Sequence, residues 1–237
     1  LATDPTYNEG QVWYNNASYA FKVASLTTSG SWATAASMGT GRSASALVGS
    51  VTAALQFAGS GPTNITESWN GSTWSPVSSM GTARYGIGGA GTQTAALGFG
   101  GYTPGLGYLS QTEKWNGTTW SPVTSMNRAN WFIGGIGTQT AALGYGGYTP
   151  AYGGYDALTE SYNGSTWTNK NNMNTARMNL GHAGTQTAAL GFGGQNPGNV
   201  ANAETFNGTT WLAITALNNP AAVNTGSGTQ TAALAFG

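Results

Sequence analysis

The segment Gly-Thr-Gln-Thr-Ala-Ala-Leu starts at Gly91, Gly137, Gly184 and Gly228, and a relaxed copy, Gly-Ser-Val-Thr-Ala-Ala-Leu, starts at Gly49. Recurrence at an interval in the forties marks an array of one supersecondary unit, which buries its apolar faces by stacking on its neighbours. Trp32, Trp74, Trp120, Trp167 and Trp211 are spaced by 42, 46, 47 and 44 residues, and Thr52, Thr94, Thr140, Thr187 and Thr231 repeat the same intervals. The chain thus carries five repeats, whose lengths vary between the markers and not within them.

Each repeat reads as four short extended segments, A to D. In the second repeat A is Gly-rich, Arg84–Ala90, and B is Gln93–Phe99, with Ala95, Leu97 and Phe99 on one face at period two. Segment C is Thr112–Trp115 and D is Thr118–Val123. Asn-Gly stands between C and D at Asn70, Asn116, Asn163 and Asn207, and predicts a two-residue type I′ hairpin there. No apolar period of 3.6 residues persists, and glycines punctuate every stretch, so helices are nearly excluded.

Repeated four-stranded units of this length predict an all-β fold, a five-bladed β-propeller of four-stranded blades. Segment A is expected to line the central channel and the segment D tryptophans to fill the space between blades. The chain ends in A and B material at Gly228–Gly237 and opens its repeats with C- and D-like material at Ser31–Met38. A closing blade built from both termini follows, which removes an open sheet edge. Residues 1–30 form an N-terminal extension whose segment Gln11–Val23 reads as a hairpin turning at Asn15-Asn16 and contributing to that blade; residues 31–237 form the propeller. The opening Leu-Ala-Thr-Asp-Pro reads as a processed product or a piece of a longer polypeptide.

Charge is scarce, with seven basic and seven acidic residues in 237 and no cysteine. No Lys/Arg cluster offers a footprint for nucleic acid, and no apolar run is long enough for membrane insertion. What charge there is follows the repeat. Glu67, Glu113, Glu160 and Glu204 share one position of segment C, and Arg42, Arg84 and Arg177 share the start of segment A. Matching within blades pairs Arg42 with Glu67, Arg84 with Glu113 and Arg177 with Glu204. The remaining blade sets Glu160 opposite Asn130, with Arg128 displaced by two residues. These pairs read as structural, because a half-buried charge persists when it is paired.

An Arg after a turn, a Gly-Gly closing strand B (Gly100-Gly101, Gly146-Gly147, Gly193-Gly194), an aromatic in C and Trp in D together resemble the kelch repeat. The resemblance covers roughly residues 30–237 and implies a propeller, though five blades are fewer than kelch proteins usually have and Ala58-Gly59 replaces the first Gly-Gly. The near-identity of the copies and the preceding Glu9–Asn15 segment are similar to kelch-like sequences of bacteriophage tail and other virion proteins. That similarity implies an extracellular or virion location.

No catalytic constellation stands out. His182 is the single histidine, at a position held by Gly89 and Gly135 in sister repeats, so no His-based metal site is expected. Asp4, Glu9 and Asp156 read as isolated carboxylates, whereas glycoside hydrolysis needs a convergent pair. No enzyme, metal or cofactor is therefore expected. The variation lies in the B–C loops, which strand alternation gathers on one face with the D–A turns. They carry Tyr102, Tyr108, Tyr148, Tyr152, Tyr155, Asp156, Gln195, Asn196 and Asn199, with Tyr85, Trp131 and Phe132 beside them. Aromatic faces next to amides and hydroxyls suit sugar rings, and equally suit a protein receptor or another subunit of an assembly. The expectation is a non-catalytic binding or structural module, a phage tail or virion appendage recognising a host surface glycan or receptor. A secreted or surface lectin-like bacterial protein and a purely structural virion decoration are the alternatives.

Overall fold

A computed structural model of the chain describes residues 12–15, 20–23, 34–222 and 225–236. Two compact units divide it, residues 1–35 and 36–237. The first contains an antiparallel hairpin of β1 (Val12–Asn15) and β2 (Ala20–Val23), with Val12 opposite Val23. Asn16, expected in its turn, and Trp32 lie outside the described residues.

The second unit is all-β. Its first sheet holds β3 (Ala46–Ser50), β4 (Ala53–Phe57), β5 (Thr66–Trp69) and β6 (Trp74–Val77). The second holds β7 (Gly88–Gly91), β8 (Ala96–Phe99), β11 (Thr112–Trp115) and β12 (Trp120–Val123), with a small hairpin, β9 (Tyr102–Thr103) and β10 (Gly107–Tyr108), in its B–C loop. The third holds β13 (Gly134–Thr138), β14 (Ala141–Tyr145), β17 (Thr159–Tyr162) and β18 (Trp167–Asn169), with β15 (Tyr148–Thr149) and β16 (Gly154–Tyr155) in its loop. The fourth holds β19 (Gly181–Gly184), β20 (Ala189–Phe192), β21 (Ala203–Phe206) and β22 (Trp211–Ile214). A two-stranded pair follows, β23 (Thr225–Gly228) and β24 (Ala233–Phe236). Strand order is sequential and antiparallel in every sheet, and no α-helix occurs among the described residues. This is a β-propeller-like arrangement.

First strands lie side by side, β3 against β7, β7 against β13, β13 against β19 and β19 against β23. The approach is backbone to backbone. A Cβ added at Gly135 would fall 2.6 Å from the Gly89 nitrogen, so β7 and β13 could not pack this closely with any larger residue there. The apolar core is divided among the gaps between sheets. Leu55, Phe57 and Met80 of the first sheet pack with Ala96 and Trp115 of the second, and the later gaps repeat the pattern around Phe99 and around Tyr145.

A segment D tryptophan and an A–B turn glutamine sew each of the gaps between the four four-stranded sheets. The segment D tryptophan packs its ring on the strand B aromatic of the preceding sheet, with centroids 4.8 Å apart for Phe57–Trp120, 4.9 Å for Phe99–Trp167 and 4.8 Å for Tyr145–Trp211. Each such contact is worth about 0.5–1.5 kcal/mol beyond burial. The same indole N–H donates backwards to a threonine hydroxyl, Trp120 to Thr66, Trp167 to Thr112 and Trp211 to Thr159. The Gln at the tip of the A–B turn also reaches back, donating to two main-chain carbonyls of the preceding sheet. Gln93 takes Ala54 and Trp69, Gln139 takes Ala96 and Trp115, Gln186 takes Ala142 and Tyr162, and Gln230 takes Ala189 and Phe206. In the first repeat this residue is Val51, 89% exposed.

The C–D turn differs from the expected type I′. Trp69 pairs with Trp74, so the connection is Asn70–Thr73, and positive φ falls on Gly71 alone. The turn is centred one residue later than Asn-Gly predicts, with the glycine at the first central position as in type II′ turns. Asn70 instead accepts the Ser72 and Thr73 N–H groups at its side-chain oxygen, and Asn116, Asn163 and Asn207 do the same in their turns. The side chain closes the loop, which removes the need for a left-handed Asn.

Candidate functional site: the loop face

The D–A and B–C loops of one repeat meet through single bridges, Tyr85 with Tyr102, Trp131 with Tyr148 and Met178 with Gln195. Neighbouring repeats are clasped through the main chain. Arg84 donates its N–H to Thr63 O and accepts from Gly59 N; Asn130 does so with Leu109 and Gly101, Arg177 with Asp156 and Gly147, and Ala221 with Val200 and Gly194.

Beneath these loops lie the ion pairs Arg42–Glu67 at 3.0 Å, Arg84–Glu113 at 3.1 Å and Arg177–Glu204 at 2.5 Å, all with buried side chains. Each glutamate also accepts loop N–H groups, Glu67 from Gly39, Glu113 from Gly81, and Glu204 from Asn174 and Thr175. Burial pulls the Arg84 guanidinium down to about 10, against the opposing pull of Glu113. The third repeat replaces this device. Buried Asn130 occupies the arginine position and donates to Gly146 O, while Glu160 accepts from the Asn127 N–H and side-chain amide and the Arg128 N–H. Burial pushes the Glu160 carboxyl up, and those hydrogen bonds oppose it.

Arg128 turns instead to Asp156, at 2.8 Å. Asp156 also accepts the Leu158 N–H, so it is a buried loop fastener and not the isolated carboxylate that its sequence position implied. Gln195 and Asn196 are likewise engaged locally, Gln195 with Asn199 and Asn196 with the Ala176 carbonyl. Tyr152 sits in a 3-10 turn at Pro150–Tyr152.

The remaining aromatics come together. Tyr102 lies 5.1 Å from Tyr108 and 5.8 Å from Trp131, Tyr108 lies 6.2 Å from Tyr148, and Tyr148 lies 5.4 Å from Tyr155. Tyr85 joins through Trp131 at 5.6 Å, and Phe132 through Trp131 at 4.4 Å. Seven half-buried rings from the second and third repeats thus form one patch. The Trp131 indole lies over Gly86, where a Cβ would fall 2.3 Å from the ring, and its buried N–H has no partner in the protein. Burial and the neighbouring tyrosines raise the Tyr108 hydroxyl, which therefore stays protonated at neutral pH.

Beside the patch, a cavity of about 470 Å³ opens among the residues that precede β3, β7, β13 and β19. Ala44, Gly86, Phe132 and Asn179 occupy one repeat position on its rim, all with φ between 51° and 62°. They are chained by main-chain hydrogen bonds, Gly86 N to Ala44 O, Phe132 N to Gly86 O and Asn179 N to Phe132 O. Positive φ is a genuine outlier for a residue as bulky as Phe132, and costs about 1–3 kcal/mol.

Sequence reasoning did not assign the backward-reaching glutamines, the Trp–Thr hydrogen bonds or the cavity. The first two left a signal, since Gln recurs at a turn tip where many polar residues would serve, and Thr precedes Glu in segment C three times (Thr66, Thr112, Thr159). Among the described residues no cluster of His, Cys, Asp and Glu could hold a metal ion. No family model and no curated protein matches this chain.

Proposed function

We propose that this protein is a non-catalytic binding module whose loop face recognises a host surface glycan, carried on a phage tail or virion appendage. The observation that carries the reading is the contiguous patch of seven half-buried aromatic rings, raised on the two repeats whose loops are longest. Ring faces stack on the C–H faces of sugars, and tyrosine hydroxyls meet their oxygens. The repeat glutamates and Asp156 already have arginine or main-chain partners, which leaves no free pair of carboxyls for glycoside cleavage among the described residues.

The same reading includes the kelch-like, five-bladed closure. In the sequence, residues 31–38 carry the C- and D-like pattern that the last repeat lacks. A glycan array with the whole chain and with Trp131→Ala tests the function. Binding to a defined subset of glycans, lost in the variant, is expected. An empty array together with stable association with other virion proteins would support a structural decoration in its place.

A further inference from the structure

We infer that the cavity beside the aromatic patch is a subsite for one uncharged sugar residue, an assignment that rests on the glycan reading above and specifies its ligand. Two departures from the repeat converge there. Among the described residues Phe132 is the large one at a rim position otherwise held by Ala44, Gly86 and Asn179, and it takes that place in spite of its left-handed backbone. His182 stands where sister repeats have Leu47, Gly89, Gly135 and Gly226, puts a polar side chain there, and lines the same space. Phe132 holds its place against its backbone geometry, and both side chains alter the same cavity.

The lining decides the ligand's charge. None of the residues around the cavity is Asp, Glu, Lys or Arg, so an ionic ligand would lose its water without gaining a counter-charge. The lining offers neutral groups that both donate and accept. Asn179 has a free side-chain amide, His182 engages Leu180 O weakly at 3.4 Å through Nδ1 and leaves Nε2 open, and Gln56 keeps its oxygen free while its amide donates to Ser45. Burial lowers the imidazole's affinity for a proton and keeps it neutral, in agreement with this lining. Sugar hydroxyls, which also donate and accept, match such groups. The volume of about 470 Å³ falls in the range of ordinary ligand pockets and accommodates a single sugar ring. Phe132, 4.4 Å from Trp131, joins the cavity to the patch, so a terminal residue could enter while the next ring rests on the aromatics.

His182 is the chain's single histidine, so its carbon-bound imidazole protons report on this cavity alone. The test titrates D-glucose, D-galactose, D-mannose and N-acetyl-D-glucosamine into the whole chain and follows those resonances by NMR, with D-glucuronate as the charged counterpart. At least one neutral sugar should shift them saturably, glucuronate should not, and Phe132→Ala should weaken the response about tenfold. If that variant does not fold, Asn179→Asp, which places a carboxylate on the rim, should weaken it similarly. Resonances unmoved by every neutral sugar, or moved equally by glucuronate, overturn the inference. Array binding that depends on Trp131 while His182 stays silent overturns this inference alone. A saturable response at His182 with an empty array overturns the loop-face reading alone.

Discussion

The gap between the second and third sheets and the loops above it join the same two repeats by opposite means. In the gap the fasteners are side chains: Gln139 on the Ala96 and Trp115 carbonyls, Trp167 on Thr112 and Phe99. In the loops the clasp is main chain, Asn130 exchanging N–H and C=O with Leu109 and Gly101. A side-chain fastener fixes residue identity, so the gaps repeat almost letter for letter. A main-chain clasp leaves side chains uncommitted, and the loops are therefore where the repeats can differ. Variable loops and rigid stacking coexist because they draw on different atoms.

The sharpest way to break this contrast is to remove a charged fastener. Arg84→Ala leaves Glu113 buried without its partner and should cost about 3–5 kcal/mol, read by urea denaturation. The double change Arg84→Met with Glu113→Leu should recover much of that loss. Gln139→Ala leaves two carbonyls without their donor and should cost about 2 kcal/mol, whereas Tyr148→Ala in the loops should change stability far less. Val51→Gln would supply the fastener that the first repeat lacks. If the array closes on its last repeat, the new amide should find the Ala233 carbonyl, the counterpart of Ala54, and raise stability by about 1 kcal/mol; an unchanged melting curve would count against closure.

The smallest effect belongs to His182. Its folded-state pKa lies below the ordinary value of 6.5 because burial disfavours the cation. The unfolded chain therefore binds the proton more readily. Stability should be full above about pH 6.5 and decline as pH falls from there toward the folded pKa. His182→Gln should flatten that slope, measured as melting temperature against pH.

Much of the scaffold was legible because it is repetitive. The A-to-D reading places four antiparallel strands in each of the four sheets, since period-two burial and turn glycines leave few other options. The arginines and glutamates could be matched because a chain with 14 charged residues offers few alternatives. The C–D turn was misread by one residue because an Asn side chain can close a loop in place of its backbone. Of the loop residues, Tyr85, Tyr102, Tyr108, Trp131, Tyr148 and Tyr155 meet in one patch, while Asp156, Gln195 and Asn196 bind locally. That division depends on three-dimensional reach, on which loop spacing is silent. The role of His182 was equally hidden, because a lone histidine acquires meaning only beside the cavity it lines.

Each of Gln93, Gln139, Gln186 and Gln230 grips carbonyls in the repeat that precedes it in the chain. The grip therefore has a direction. During synthesis every acceptor has left the ribosome before its glutamine appears, so each new repeat can lock onto a finished neighbour. Assembly of the array can therefore follow the order of synthesis, from first repeat to last.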